Sequence, residues 1–147
     1  MNAAELAALA DRLAEHAPPG TPERDFARAV ARWLQGEEDT LDAALGLSAH
    51  RGQDSAPRRW RRDQRNRHLT TALELVEGDT TGARCRALAA EIARFESRIW
   101  PRWRVLTAPP PEASRLRTAL FKARQFGCLP TTHEQLRNIA RETGSSF

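Results

Sequence analysis

The chain has no tyrosine, one methionine and two cysteines in 147 residues, and of its 23 basic residues only Lys122 is a lysine. Two cysteines, Cys85 and Cys128, are too few for the disulfide framework of a small secreted domain. No apolar run approaches the roughly 20 residues that span a bilayer. The opening residues also lack the charged, apolar and small-residue succession of a signal peptide. A cytoplasmic protein is the expectation. Catalytic vocabulary is missing too. His16, His50, His68 and His133 are scattered, no C-x-x-C or H-x-x-x-H pair offers a metal site, and no glycine-rich loop offers a phosphate cradle. No nucleophile, base and orienting carboxylate stand out as a set. The sequence predicts neither an enzyme nor a metal or other cofactor.

What is present is an ordinary globular balance, 40% hydrophobic and 29% charged, with length enough for one core. Apolar residues recur at helical spacing and nowhere alternate over a strand's length. The fold class read from this is all-α, a single compact domain of about six to seven helices with an N-terminal helical cap. Leu6, Leu9 and Leu13 mark a first helix over about 3–16. Thr21 reads as the N-cap of a second, with Pro22 at its first position and Gly36 at its end. A short third helix covers 40–45. A polar loop at 48–57 separates an acidic N-terminal subdomain, 1–47, from a basic helical domain, 48–147.

A long helix over 57–76 follows. Thr80 or Thr81 caps the next, where Cys85, Leu88, Ile92, Phe95 and Ile99 form the cleanest core stripe and Pro101 is the expected stop. Three consecutive prolines make 108–112 a stiff extended connector. A helix carrying Leu116, Leu120, Ala123 and Phe126 ends at Gly127. Thr131 opens the last helix, with Glu134 completing a capping box.

The net charge of +4 conceals an uneven distribution. Residues 1–50 hold 4 basic and 9 acidic groups, while residues 51–68 hold 7 basic and 2 acidic. The arginines Arg58, Arg59, Arg61, Arg62, Arg65 and Arg67 fall in the first three turns of the long helix. On a wheel at 100° per residue, Arg58, Arg62 and Arg65 prolong the face of Leu69, Leu73 and Val76. That face meets the core, and an unpaired guanidinium cannot be buried there. Either this end of the helix projects beyond the core, or acidic groups such as Glu37, Glu38, Asp39 and Asp42 meet it. Arginines at a helix N-terminus also oppose its dipole, by roughly a few tenths of a kcal/mol each.

The functional reading is a phosphate-binding groove, because arginine's planar fork suits phosphate oxygens. Trp60 in the cluster, and Trp100 and Trp103 around Arg102 and Arg104, offer rings of the kind that stack on unpaired bases. Residues 116–140 also compare with a helix-turn-helix motif through Ala123 and Gly127. His133 breaks that spacing where an apolar residue is expected. A second alignment reads Leu129, Pro130 and Thr131 as the opening of a winged helix, and asks for a recognition helix after Gly144. Ordinary helical-hairpin packing is the simpler expectation.

Three segments carry a family resemblance: LDAALGL at 41–47, RRDQRNRHL at 61–69 and CLPTTHEQLRNIA at 128–140. Over about 41–140 the chain resembles small proteins of prophages and mobile elements in GC-rich proteobacteria. The resemblance implies a genomic setting and assigns no site residue. The expectation is a non-enzymatic accessory or regulatory protein that binds DNA or RNA through Arg58, Arg59, Arg61, Arg62, Arg65 and Arg67, with Arg102 and Arg104 as a secondary surface. The alternative is an inhibitor or adaptor whose partner is the acidic surface of a host protein complex.

Overall fold

The structure is a computed structural model that describes residues 1–144, and all of their regular secondary structure is helical. The elements are α1 (Ala3–His16), α2 (Pro22–Leu34), α3 (Leu41–Ala44), α4 (Ala56–Leu75), α5 (Thr81–Arg94), a π-helical turn (Phe95–Ile99), α6 (Trp100–Trp103), α7 (Arg115–Phe126) and α8 (His133–Gly144). From α5 through α6 the chain is continuously helical, so these elements make seven separate segments. None of the helices is long and apolar enough to cross a membrane. The chain divides into two compact units, Met1–Ala56 and the residues from Pro57 onward.

In the first unit α1 packs on α2. Asn2 caps α1 by accepting from the Glu5 N–H at 2.9 Å, and Glu5 accepts in return from the Asn2 N–H at 2.8 Å. This capping box satisfies two of the helix's orphan donors. Small residues let the two helices approach: the core is Ala10, Ala27 and Val30, ringed by Leu6, Leu13, Phe26 and Leu41. Thr21 occupies the N-cap position of α2, but its hydroxyl donates to the Pro18 carbonyl at 2.9 Å and caps nothing.

The second unit is built on α4, α5, α7 and α8. Its core gathers Leu69, Leu73 and Val76 of α4 and the segment after it, Leu88, Ile92 and Phe95, then Leu120, Phe121, Leu136 and Ile139. Gly78 makes the tight corner into α5. A Cβ there would lie 2.8 Å from the Arg84 amide nitrogen, and the Gly78 carbonyl accepts from Arg84 Nε at 3.0 Å. Thr80 caps α5, accepting from the Ala83 N–H at 3.1 Å.

Pro101 does not stop the helix. The chain first widens into the π turn, in which the Trp100 N–H reaches back to the Phe95 carbonyl. That one-residue slip starts a fresh turn in which Pro101 stands at the N-terminal end, where its missing N–H leaves no gap in the ladder. Trp100 and Trp103 are thereby turned onto Phe95 and Phe121, with ring centroids 5.9–6.2 Å apart.

The proline connector is not extended along its whole length, because the Ala113 N–H donates to the Pro110 carbonyl at 3.0 Å and folds its end into a turn. Ser114 caps α7, and Gly127, at φ +155°, ends it in a region that L-residues rarely enter. The cap of α8 is one residue later than its spacing suggested. Thr132 accepts from the Gln135 N–H at 3.3 Å, and Gln135 Oε1 accepts from Thr131 and Thr132 at 3.0 and 3.4 Å. Glutamine and glutamate serve equally at that position, so THEQ fits as well as TTHE. α8 makes its close backbone approach to α5, and the expected hairpin of α7 and α8 gives way to a shared core. A recognition helix after Gly144 lies outside the described residues.

Candidate functional site

α4 begins with six arginines in ten residues, and the structure gives them different surroundings. Arg58, Arg61, Arg62 and Arg67 are exposed, while Arg59 and Arg65 are half-buried. Neither solution that the sequence suggested for the core-facing stripe accounts for Arg61 and Arg65. Both turn to the C-terminal end of α7. Arg61 donates from Nη2 to the Gln125 carbonyl at 3.3 Å and from Nε to the Phe126 carbonyl at 3.5 Å. Arg65 donates from Nη1 to the Cys128 carbonyl at 3.1 Å.

The last carbonyls of a helix have no intrahelical donor, and the helix dipole makes that end attractive to cations. Arg61 thus serves the C-terminus of α7, and Arg65 holds the chain just beyond it. Burial first, then the neighbouring charge of Arg62, hold the Arg65 guanidinium below the usual arginine range. Of the acidic residues considered as internal partners, Glu37 and Glu38 both engage Arg32 within the first unit.

Beside these contacts runs an aromatic ladder. Trp60 meets Phe126 edge-on at 5.6 Å between ring centroids, and Phe126 stacks on His68 at 5.9 Å with 14° between planes. Burial, then the charge of Lys122, lower the His68 pKa. Trp60 stays 57% exposed, which singles it out among the rings considered for stacking. Trp100 and Trp103 pack against the core, and Trp100 is further covered by the Arg124 guanidinium, 4.9 Å from its ring. Arg124 Nε also lies 2.9 Å from Glu96 Oε1, an ion pair without hydrogen-bond alignment. Arg102 and Arg104 are exposed on α6 and the residue after it, a separate element from the α4 cluster.

Sequence reasoning missed Asn66. It is the one buried polar residue among those described, at 7% exposure, and its Oδ1 accepts from Arg65 Nη2 at 3.1 Å and Nε at 3.3 Å. The wheel carried the signal, because Asn66 falls beside Leu69 and Leu73. Asn66 and Arg65 stand at the edge of a groove of about 500 Å³ between α4 and α8, which Arg62, Leu129, Asn138 and Ile139 also line.

Among the described residues no three His, Cys, Asp or Glu side chains come together as a metal ion would require. No protein family, no curated protein and no solved structure matches the chain.

Proposed function

We propose that the protein is a non-enzymatic accessory or regulatory protein of a phage or mobile element that binds nucleic acid through the outward arginines of α4. The observation that carries this reading is the way the cluster is partnered. Arg61 and Arg65 hydrogen-bond to carbonyl groups, which satisfy donors but cancel no charge. Residues 57–147 hold 18 basic against 9 acidic groups, so the field of Arg58 and Arg67 is reinforced by its surroundings. A polyanion is the natural counterpart of such a surface. Trp60 adds an exposed ring within the same turns. Arg102 and Arg104 form a secondary basic surface in this reading.

Binding of heterologous DNA or RNA tests it. Association should be measurable at about 50 mM salt and fall linearly on a log–log plot against salt concentration. No binding at that salt overturns the proposal. Capture of a host protein that resists nuclease and is lost on Arg62→Glu identifies an inhibitor or adaptor instead.

A further inference from the structure

We propose that the nucleic acid is held as a single strand, with one unpaired base stacked on the Trp60 ring. This assignment rests on the nucleic-acid reading above and narrows it to strands whose bases lack a partner. Its basis is the way the ring is presented. Trp100 and Trp103 pack against the core. Of the large hydrophobic residues left exposed among those described, Trp60 alone belongs to α4 or α7. Phe126 meets it at 82° between planes, and an edge-on contact leaves at least one face of the indole uncovered. Phe126 is itself fixed, by the stacked His68 ring and by Arg61 at its carbonyl. The open face is therefore carried on a rigid support, so a partner that stacks there loses little to ordering the ring.

The charges around the ring choose the partner. Arg61 donates to two carbonyls and keeps its positive charge beside Phe126. Lys122 stands one turn before Phe126 on α7, close enough to His68 to disfavour a second positive charge there. α7 itself carries no acidic residue. On α4 the acidic residue nearest to Trp60 in the chain, Asp63, lies 3.8 Å from Arg62 Nε. A protein interface of the usual kind surrounds an exposed tryptophan with further apolar surface, whereas Trp60 is the single exposed large hydrophobic residue on these two helices. A base needs only one ring to stack on, with positive charge for the phosphates on either side of it. Every base has such a face, so the contact is indifferent to sequence. In a duplex both faces of a base are stacked within the helix and closed to Trp60.

The test uses the full chain with a single strand of about 15 nucleotides and the same strand in a duplex, at low salt. Affinity is read by fluorescence anisotropy of a labelled strand, and contact with the ring by tryptophan emission. The single strand should quench part of that emission, and the duplex should bind without quenching it. Trp60→Leu keeps an apolar side chain against Phe126 and removes the stacking face. It should weaken single-strand binding by about tenfold, abolish the quenching and leave duplex binding unchanged. Trp60→Phe, which keeps an aromatic face, should restore most of the affinity. Because quenching is read on the unaltered chain, the result does not depend on how either variant folds. Emission unchanged by the single strand, or Trp60→Leu binding both forms alike, overturns the stacking and leaves the arginine surface standing. Failure of both forms to bind overturns the proposed function itself. A host protein captured in the presence of nuclease and lost on Trp60→Leu assigns the ring to a protein interface and overturns the stacking as well.

Discussion

In the first unit Arg28 pairs with Asp25, and Arg32 with Glu37 and Glu38, whereas in the second Arg61, Arg65 and Arg84 direct their donors to backbone carbonyls. The division is not absolute. Arg24 reaches the Ala17 carbonyl, and Arg62, Arg94 and Arg124 keep carboxylate partners. It nonetheless follows from supply. Residues 1–56 hold 5 basic and 10 acidic groups, while the remainder holds twice as many basic as acidic. A carboxylate neutralises the arginine it binds, but a carbonyl only satisfies its hydrogen-bond geometry. The second unit can therefore anchor its helices with arginine and remain strongly cationic. Helix ends suit this arrangement because their carbonyls are both unpaired and partially negative.

The largest effect expected in the second unit comes from its apolar core. Phe121, 1% exposed and touched by both Trp100 and Trp103, should lose about 3–5 kcal/mol as Phe121→Ala, measured by denaturant unfolding. A loss below about 1 kcal/mol would mean that this core is not the one holding the unit together. Next, Arg65→Met removes charge-assisted contacts to the Cys128 carbonyl and Asn66, and should cost about 2 kcal/mol. Gly78→Ala forces a Cβ against the Arg84 backbone and should cost about 1–3 kcal/mol. In the first unit, Arg32→Ala breaks two partly exposed ion pairs and should cost less than about 1 kcal/mol. Equal losses for Arg65→Met and Arg32→Ala would erase the distinction between the units.

His68 sharpens the comparison through pH. Its folded pKa lies below the usual 6.5, through burial and then Lys122, so the unfolded chain binds the proton more readily. This contribution to stability is intact above about pH 6.5 and is lost as the pH falls through the folded pKa. His68→Phe keeps a ring against Phe126 and should flatten that part of the thermal-stability profile between about pH 7 and 5. An unchanged profile would show that His68 titrates as it does in the unfolded chain.

Much of the fold was legible because helix periods and stop signals are local. The first helix stands at the residues its leucines marked, and Gly127 ends α7 as read. The departures arise where two local rules compete or where the deciding partner is remote. Pro101 reads as a terminator until a π turn moves it to the start of a new turn. Thr131 and Thr132 both match a capping box, and only the position of α8 on the core chooses between them. The wheel placed Arg65 toward the core, but its partner, the Cys128 carbonyl, lies 63 residues away. No spacing rule reaches that far.

The claim that these arginines divide into anchoring and outward groups can be tested in one paired measurement. Thermal stability and the salt dependence of nucleic-acid affinity are followed together in Arg65→Met and in Arg58→Gln/Arg67→Gln. The account predicts that Arg65→Met lowers stability and that the double variant keeps its stability while its log–log salt slope shrinks by about 2. A double variant that unfolds as Arg65→Met does, or binds with an unchanged slope, would contradict it.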